Sequence, residues 1–148
     1  MSLDIRFDFQ RSDRIGIIEA IWGENKNIDQ LNRISKEVLS KKEIVFITRI
    51  NKVKAAHLLN KFAEAKFYEE ANCLIIGKNS KKISTKKRVA IVAGGSSDLA
   101  VTLEAKLALE IYGVNCKSFI DVGVAGLHRL LSQIEEINQY DVLIVCAG

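Results

Sequence analysis

The last third of the chain repeats one grammar, an apolar run followed by a glycine turn and a helical stretch, and no other feature constrains the fold as tightly. Val89 to Ala93 is continuously apolar, the pattern of a strand buried on both faces of a parallel sheet. Gly94-Gly95-Ser96-Ser97-Asp98 forms a turn of small residues. Leu99 to Tyr112 then reads as a helix with Leu99, Thr102, Ala105, Leu109 and Tyr112 along one side, and Gly113 supplies its stop. Val114 to Asp121 is the next strand, Gly123 to Gly126 a glycine loop, Leu127 to Ile134 a short helix and Asp141 to Ala147 a third strand. Strand and helix alternating with short links predict a right-handed parallel unit of three layers, flavodoxin- or Rossmann-like in class α/β. Three parallel strands are half of a doubly wound sheet, whose strand ends ordinarily feed a covering loop and helix. The pattern therefore leads one to expect a longer protein, truncated here at Gly148, with a partner copy covering the open face.

A smaller α/β region precedes this unit. After an extended start over Met1 to Gln10, Asn27 is a helix N-cap with Gln30 three residues on, and Ile28, Leu31, Ile34 and Val38 recur at helical spacing as far as Ser40. Glu43 to Thr48 is a short strand. Asn51 opens a second helix with Val53, Ala56, Leu59, Phe62 and Ala63 as its apolar stripe, and His57, inside that helix, is read as structural. Cys73 to Ile76 is a further strand. The expected organisation is an α/β region over residues 1–77, a basic linker over 78–88 and the parallel unit over 89–148.

Charge follows this division. Residues 1–40 carry a net −1, residues 41–88 a net +9 and residues 89–148 a net −4. The tract Lys78 to Arg88 holds six cations and no acid. Without interleaved aromatics or a recognisable binding fold it reads as solvated linker, and a nucleic-acid partner is not expected. Apolar runs fall far short of the ~20 residues that span a bilayer. Met1 to Gln10 lacks the apolar block of a signal peptide, so a cytoplasmic, non-membrane protein is expected. The chain contains no proline, and its turns rest on glycine, asparagine, serine and aspartate. Cys73, Cys116 and Cys146, each in apolar sequence, read as reduced core thiols. With two histidines and no CxxC, no metal ligand set is assigned.

In open parallel sheets ligands bind outside the carboxyl ends of the strands, where the glycine turns lie. The turn Gly94, Gly95, Ser96, Ser97, Asp98 opens a helix, so its N–H groups and hydroxyls suit a phosphate. Capping of that helix by Ser97 or Asp98 explains the same residues without a ligand. Asp121, Gly123 and Gly126 form the second rim loop, and His128 and Arg129 follow it. Histidine moves protons near neutral pH and arginine grips phosphate or carboxylate. Surface roles for both remain the alternative.

VAIVAGGSSD, DVGVAGLHRLL and VLIVCAG resemble the LarB-type pyridinium-3,5-biscarboxylic acid mononucleotide synthases, which share a domain with the PurE-type aminoimidazole ribonucleotide carboxylases and mutases. Arg14-Ile15-Gly16, Glu19 to Gly23, Lys26 and Thr48-Arg49 are similar to the amino-terminal region of the LarB type. Gly94, Ser97 and Asp98 match the nucleotide-binding turn of the PurE type, and His128-Arg129 its histidine-arginine pair. Gly95, Ser96 and Leu130-Leu131 depart from that type and follow the LarB pattern.

The resemblance implies a PurE-like fold and carboxylation of the pyridine ring of nicotinic acid adenine dinucleotide, with hydrolysis of its phosphoanhydride to release AMP. The product would be a precursor of the nickel pincer cofactor of lactate racemase. It further implies carbon dioxide or bicarbonate as co-substrate, a divalent metal such as magnesium to offset phosphate charge, and a homo-oligomer. Asp98 and His128 would then handle protons, and Gly94, Gly95, Ser96, Ser97, Asp121, Gly123, Gly126 and Arg129 would hold substrate. The family's ring-attacking cysteine matches none of Cys73, Cys116 or Cys146. A PurE-like carboxylase or mutase, or a nonenzymatic nucleotide-binding module, are the competing readings.

Overall fold

The computed structural model describes residues 7–78 and 82–148, and the chain divides into two units, Met1–Lys78 and Asn79–Gly148. In the first unit, α1 (Arg11–Ile15) and β1 (Ile21–Trp22) lead into α2 (Ile28–Ser40). The cap of α2 is reciprocal: the Asn27 carboxamide accepts from the Gln30 N–H at 2.9 Å and the Gln30 side chain accepts from the Asn27 N–H at 2.9 Å. These bonds satisfy two N–H groups that the helix itself leaves open. β2 (Val45–Thr48) and α3 (Lys52–Lys61) follow, and the Asn51 side chain caps α3 by accepting from the Lys54 N–H. β3 (Ala65–Tyr68) and β4 (Cys73–Ile76) close the unit as an antiparallel hairpin. The sheet runs β1-β2-β4-β3, with β1 parallel to β2 and the remaining pairs antiparallel.

Leu31, Ile34 and Val38 of α2 meet Val45, Ile47, Leu74 and Ile76 of the sheet in one core. The face that α3 buries differs from the expected stripe. Ala55 and Leu58 are buried and Phe62 packs beside them, whereas Val53 is 67% exposed and Ala56, Leu59, Ala63 and His57 also face solvent. Apolar residues lie on both sides of α3, so spacing alone left its rotation open. The Lys54 ammonium, hydrogen-bonded to the carbonyls of Gly23 and Glu24, holds the observed one. Three short elements, α1, β1 and β3, lay outside the expected pattern, and Met1 to Arg6 of the expected extended start lie outside the described residues.

In the second unit β5 (Arg88–Ala93), α4 (Leu99–Ile111), β6 (Asn115–Phe119), α5 (Leu127–Leu131), α6 (Ile134–Ile137) and β7 (Val142–Cys146) build an all-parallel sheet of order β6-β5-β7. Along β5, side chains alternate between the faces. Ala90 and Val92 meet Phe119, Ile137 and Tyr140 on one side. Val89, Ile91 and Ala93 point to the other, where α4 packs on β5 and β6. Helices on both faces of a parallel sheet give the flavodoxin-like arrangement of PurE-type domains. Of the expected stripe, Thr102 on α4 and Tyr112 just beyond its end are buried, while Leu99, Ala105 and Leu109 are half-buried; Leu107 and Ile111 are buried in addition. The single helix expected over Leu127 to Ile134 is two. The Ser132 hydroxyl donates to the Arg129 carbonyl at 2.8 Å, a local bond that competes with helix continuation.

Of the basic tract, Asn79 to Lys81 lie outside the described residues. Lys82 to Lys87 are exposed, and Ile83 donates its N–H to the Tyr112 carbonyl at 2.8 Å, tying this stretch to the second unit. No helix among the described residues is long and apolar enough to cross a membrane.

Asp141 sets the register at the start of β5 and β7. Its carboxylate accepts from the Arg88 N–H at 2.8 Å and from the Lys87 ammonium at 2.9 Å, and its own N–H donates to the Arg88 carbonyl. The Arg88 N–H first, then Lys87, holds the Asp141 carboxyl below the usual aspartate value. A carboxyl with a lowered folded pKa stabilises fully above its unfolded value, and the contribution is lost as pH falls through the folded one. Melting of Asp141→Asn and the parent protein followed from pH 7 down to pH 3 is expected to show the parent more stable at neutral pH and the difference closing in acid. A constant difference would show that the carboxylate charge plays no part.

Candidate functional site

Three loops leave the carboxyl ends of β5, β6 and β7, and backbone contacts bring them together. The Gly94 N–H donates to the Cys146 carbonyl at 2.9 Å and the Val122 N–H to the Ala93 carbonyl at 3.1 Å. A Cβ on Gly123 would lie 2.3 Å from the Gly94 oxygen, and one on Gly94 would lie 3.2 Å from the Ala147 Cβ. Glycine at 123 lets the loop after β6 lie on the backbone of the loop after β5, and glycine at 94 leaves room for Ala147 after β7.

Within the first loop, Ser96–Asp98 forms a short 3-10 turn ahead of α4. The Asp98 carboxylate reaches back to accept from the Gly95 N–H at 2.9 Å, so it closes the turn and does not cap α4. The Asp98 carbonyl accepts from the hydroxyl of Thr102, which is completely buried. This second anchor appeared in the sequence only as a helix-face residue, although a threonine one turn after the aspartate is its signal. Ser96 and Ser97 are exposed, and among the described residues their hydroxyls have no hydrogen-bond partner. The capping role considered for Ser97 is therefore not the one it plays.

In the second loop the Arg129 guanidinium donates to Asp121 at 3.2 Å, with both side chains about half exposed. Such a surface pair contributes about 0–1 kcal/mol, so stability alone does not account for the arrangement. Asp121 sits at φ 61°, a left-handed conformation that aspartate tolerates better than most residues. The guanidinium lies against Gly126, where a Cβ would come within 2.5 Å of Cζ. Arg129 Nε is buried without a hydrogen-bond partner. His128 is exposed at the start of α5, and no hydrogen bond or ion pair joins its ring to another described residue.

The sequence-derived residues thus form two groups. Gly94, Gly95 and Asp98 are joined by hydrogen bond and close contact, as are Asp121, Gly126 and Arg129, and the Gly94–Gly123 contact links the groups. His128, Ser96 and Ser97 stand exposed beside these groups, and no side-chain hydrogen bond or ion pair joins any of the three to them. The rim can present amide, guanidinium and hydroxyl donors to an anion and a carboxylate and imidazole to a proton in transit.

Cys73 and Cys146 are buried, and burial first, then the nearby Glu110 charge, pushes the Cys116 thiol above its ordinary pKa. A raised pKa disfavours the thiolate that nucleophilic chemistry needs. Among the described residues no three histidine, cysteine, aspartate or glutamate side chains converge as metal ligands.

The two glycines give contrasting expectations. Gly123→Ala drives a methyl into the Gly94 backbone and should cost about 1–3 kcal/mol in denaturant unfolding. Gly126→Ala meets only the end of a flexible side chain. It should leave stability nearly unchanged while displacing Arg129 from Asp121, visible as loss of that side-chain pair in a structure of the variant.

A family model described as the LarB/PurE-like N-terminal domain matches residues 4–78. An uncharacterized protein of Methanocaldococcus jannaschii is 32% identical over 151 residues, covering 97% of this chain and 59% of that relative. The chain therefore spans somewhat over half the length of this relative. Together with the mixed sheet of the first unit and the parallel sheet of the second, these matches show that the chain belongs to the LarB/PurE-like, carboxylase-related family.

Proposed function

We propose that the full-length protein carboxylates the pyridine ring of nicotinic acid adenine dinucleotide and hydrolyses its phosphoanhydride, releasing AMP. The observation that carries the reading is the junction of the two rim loops at Gly94 and Gly123, which puts Asp98 and the Asp121–Arg129 pair on neighbouring loops. Family membership supports a carboxylase-related chemistry, and the nicotinate substrate rests on the LarB-type motifs of the sequence.

In this reading the loop amides, Ser96, Ser97 and Arg129 hold the phosphate or carboxylate groups of the substrate. Carbon dioxide or bicarbonate is the one-carbon donor. A ring carbon that gains a carboxyl group must lose its proton to restore aromaticity, and Asp98 and His128 are the groups available to take it. A divalent metal would help to offset phosphate charge, but the described residues offer no ligand cluster for one, and no step is assigned to it.

The test is conversion of nicotinic acid adenine dinucleotide and labelled bicarbonate by the full-length protein, with AMP and labelled pyridine product both measured. His128→Asn should abolish labelled product with an unchanged circular dichroism spectrum, and Arg129→Ala should raise KM at least tenfold. Turnover of aminoimidazole ribonucleotide in place of the dinucleotide would overturn the substrate assignment, and full activity of His128→Asn would remove that residue from proton transfer.

A further inference from the structure

The first unit carries a second strand-end cluster that the proposed reaction does not use. β1 and β2 run parallel with Trp22 opposite Thr48, so their carboxyl ends lie side by side. Arg49 follows at φ 50°, a left-handed conformation that costs an arginine roughly 1–2 kcal/mol and costs glycine almost nothing. The guanidinium stands over the Trp22 ring, 5.3 Å from its centroid. Gly23, next to Trp22, is buried where a Cβ would lie 2.9 Å from Ile47 Cγ2, which keeps this strand end close against β2.

The remaining contacts concentrate positive charge. The Lys26 ammonium donates to the Trp22 carbonyl at 3.2 Å, and Lys54 donates to the carbonyls of Gly23 and Glu24 at 2.9 and 2.7 Å. The nearby carboxylate, Glu24, accepts from the indole N–H at 3.0 Å. Trp22 is 51% exposed. Arg49 is exposed as well, and its guanidinium makes no hydrogen bond or ion pair with any described residue. A guanidinium stacked on an aromatic ring uses its π face and keeps its in-plane N–H donors free for a bidentate anion.

We propose that Trp22, Arg49 and Lys26 form an anion-binding site of the first unit for a molecule that carries both an aromatic ring and a phosphate or carboxylate. The guanidinium and the Lys26 ammonium take the anion, and the exposed indole takes the ring. The strained Arg49 backbone is the cost of keeping the guanidinium over the indole.

Trp22 is the single tryptophan of the sequence, so its emission reports this site directly. The 148-residue chain, excited at the red edge of indole absorption, is titrated with AMP, nicotinate and ribose 5-phosphate. Saturable quenching by AMP or nicotinate is expected, and which of the two acts tells whether phosphate or carboxylate is read. Ribose 5-phosphate, with the anion and no ring, should bind at least tenfold more weakly. Arg49→Gly, which relieves the left-handed strain, should melt no lower than the parent and lose the quenching. Arg129→Ala, in the other unit, should retain it. Absence of saturable quenching with both aromatic anions, equal affinity for ribose 5-phosphate, quenching that persists in Arg49→Gly, or quenching lost in Arg129→Ala would each overturn the proposal. None of these readouts depends on pyridine carboxylation.

Discussion

The approach of Gly123 to the Gly94 carbonyl is the contact on which the second unit's rim depends. With no side chain between them, the loop after β6 lies directly on the loop after β5, and the Val122 N–H can reach the Ala93 carbonyl. Asp98 and Arg129 then inherit their positions from backbone geometry, not from the weak attraction between exposed charges. A site built this way is held by packing that salt does not screen. Its charged groups remain at the surface, where a ligand can reach them.

The parts of this arrangement that could be read from the sequence are those that depend on local chemistry. The Asn27–Gln30 box and the Asn51 cap place α2 and α3 because a cap needs only neighbours in the chain. Val89 to Ala93 is legible as a central strand because burial on both faces leaves no polar alternation. The rotation of α3 was not legible, since Val53 and Leu59 on one side compete with Ala55 and Leu58 on the other and tertiary contacts decide between them. β1 is too short to show a period. β3 alternates Ala65, Lys66, Phe67 and Tyr68, which becomes a strand only when β4 pairs with it.

The site follows the same division. The glycine turns and the His128-Arg129 pair are visible as motifs, and the sheet brings their loops to one edge. The partnering of Arg129 with Asp121 is not visible, because a turn in three dimensions sets their relation, whereas the Thr102 bond to Asp98 leaves a local signal in its one-turn spacing. Trp22 and Arg49 lie further apart in the chain and meet only because β1 and β2 are parallel neighbours.

The central position of β5 also orders how the second unit can be assembled. β5 pairs on one side with β6, delivered by a single helix, and on the other with β7, which arrives only at the far end of the unit. Until β7 has been synthesised, one edge of an apolar strand presents unpaired N–H and C=O groups to any other extended chain. The Asp141 clasp on Lys87 and Arg88 closes that edge at its starting register. Any delay before β7 pairs lengthens this vulnerable interval.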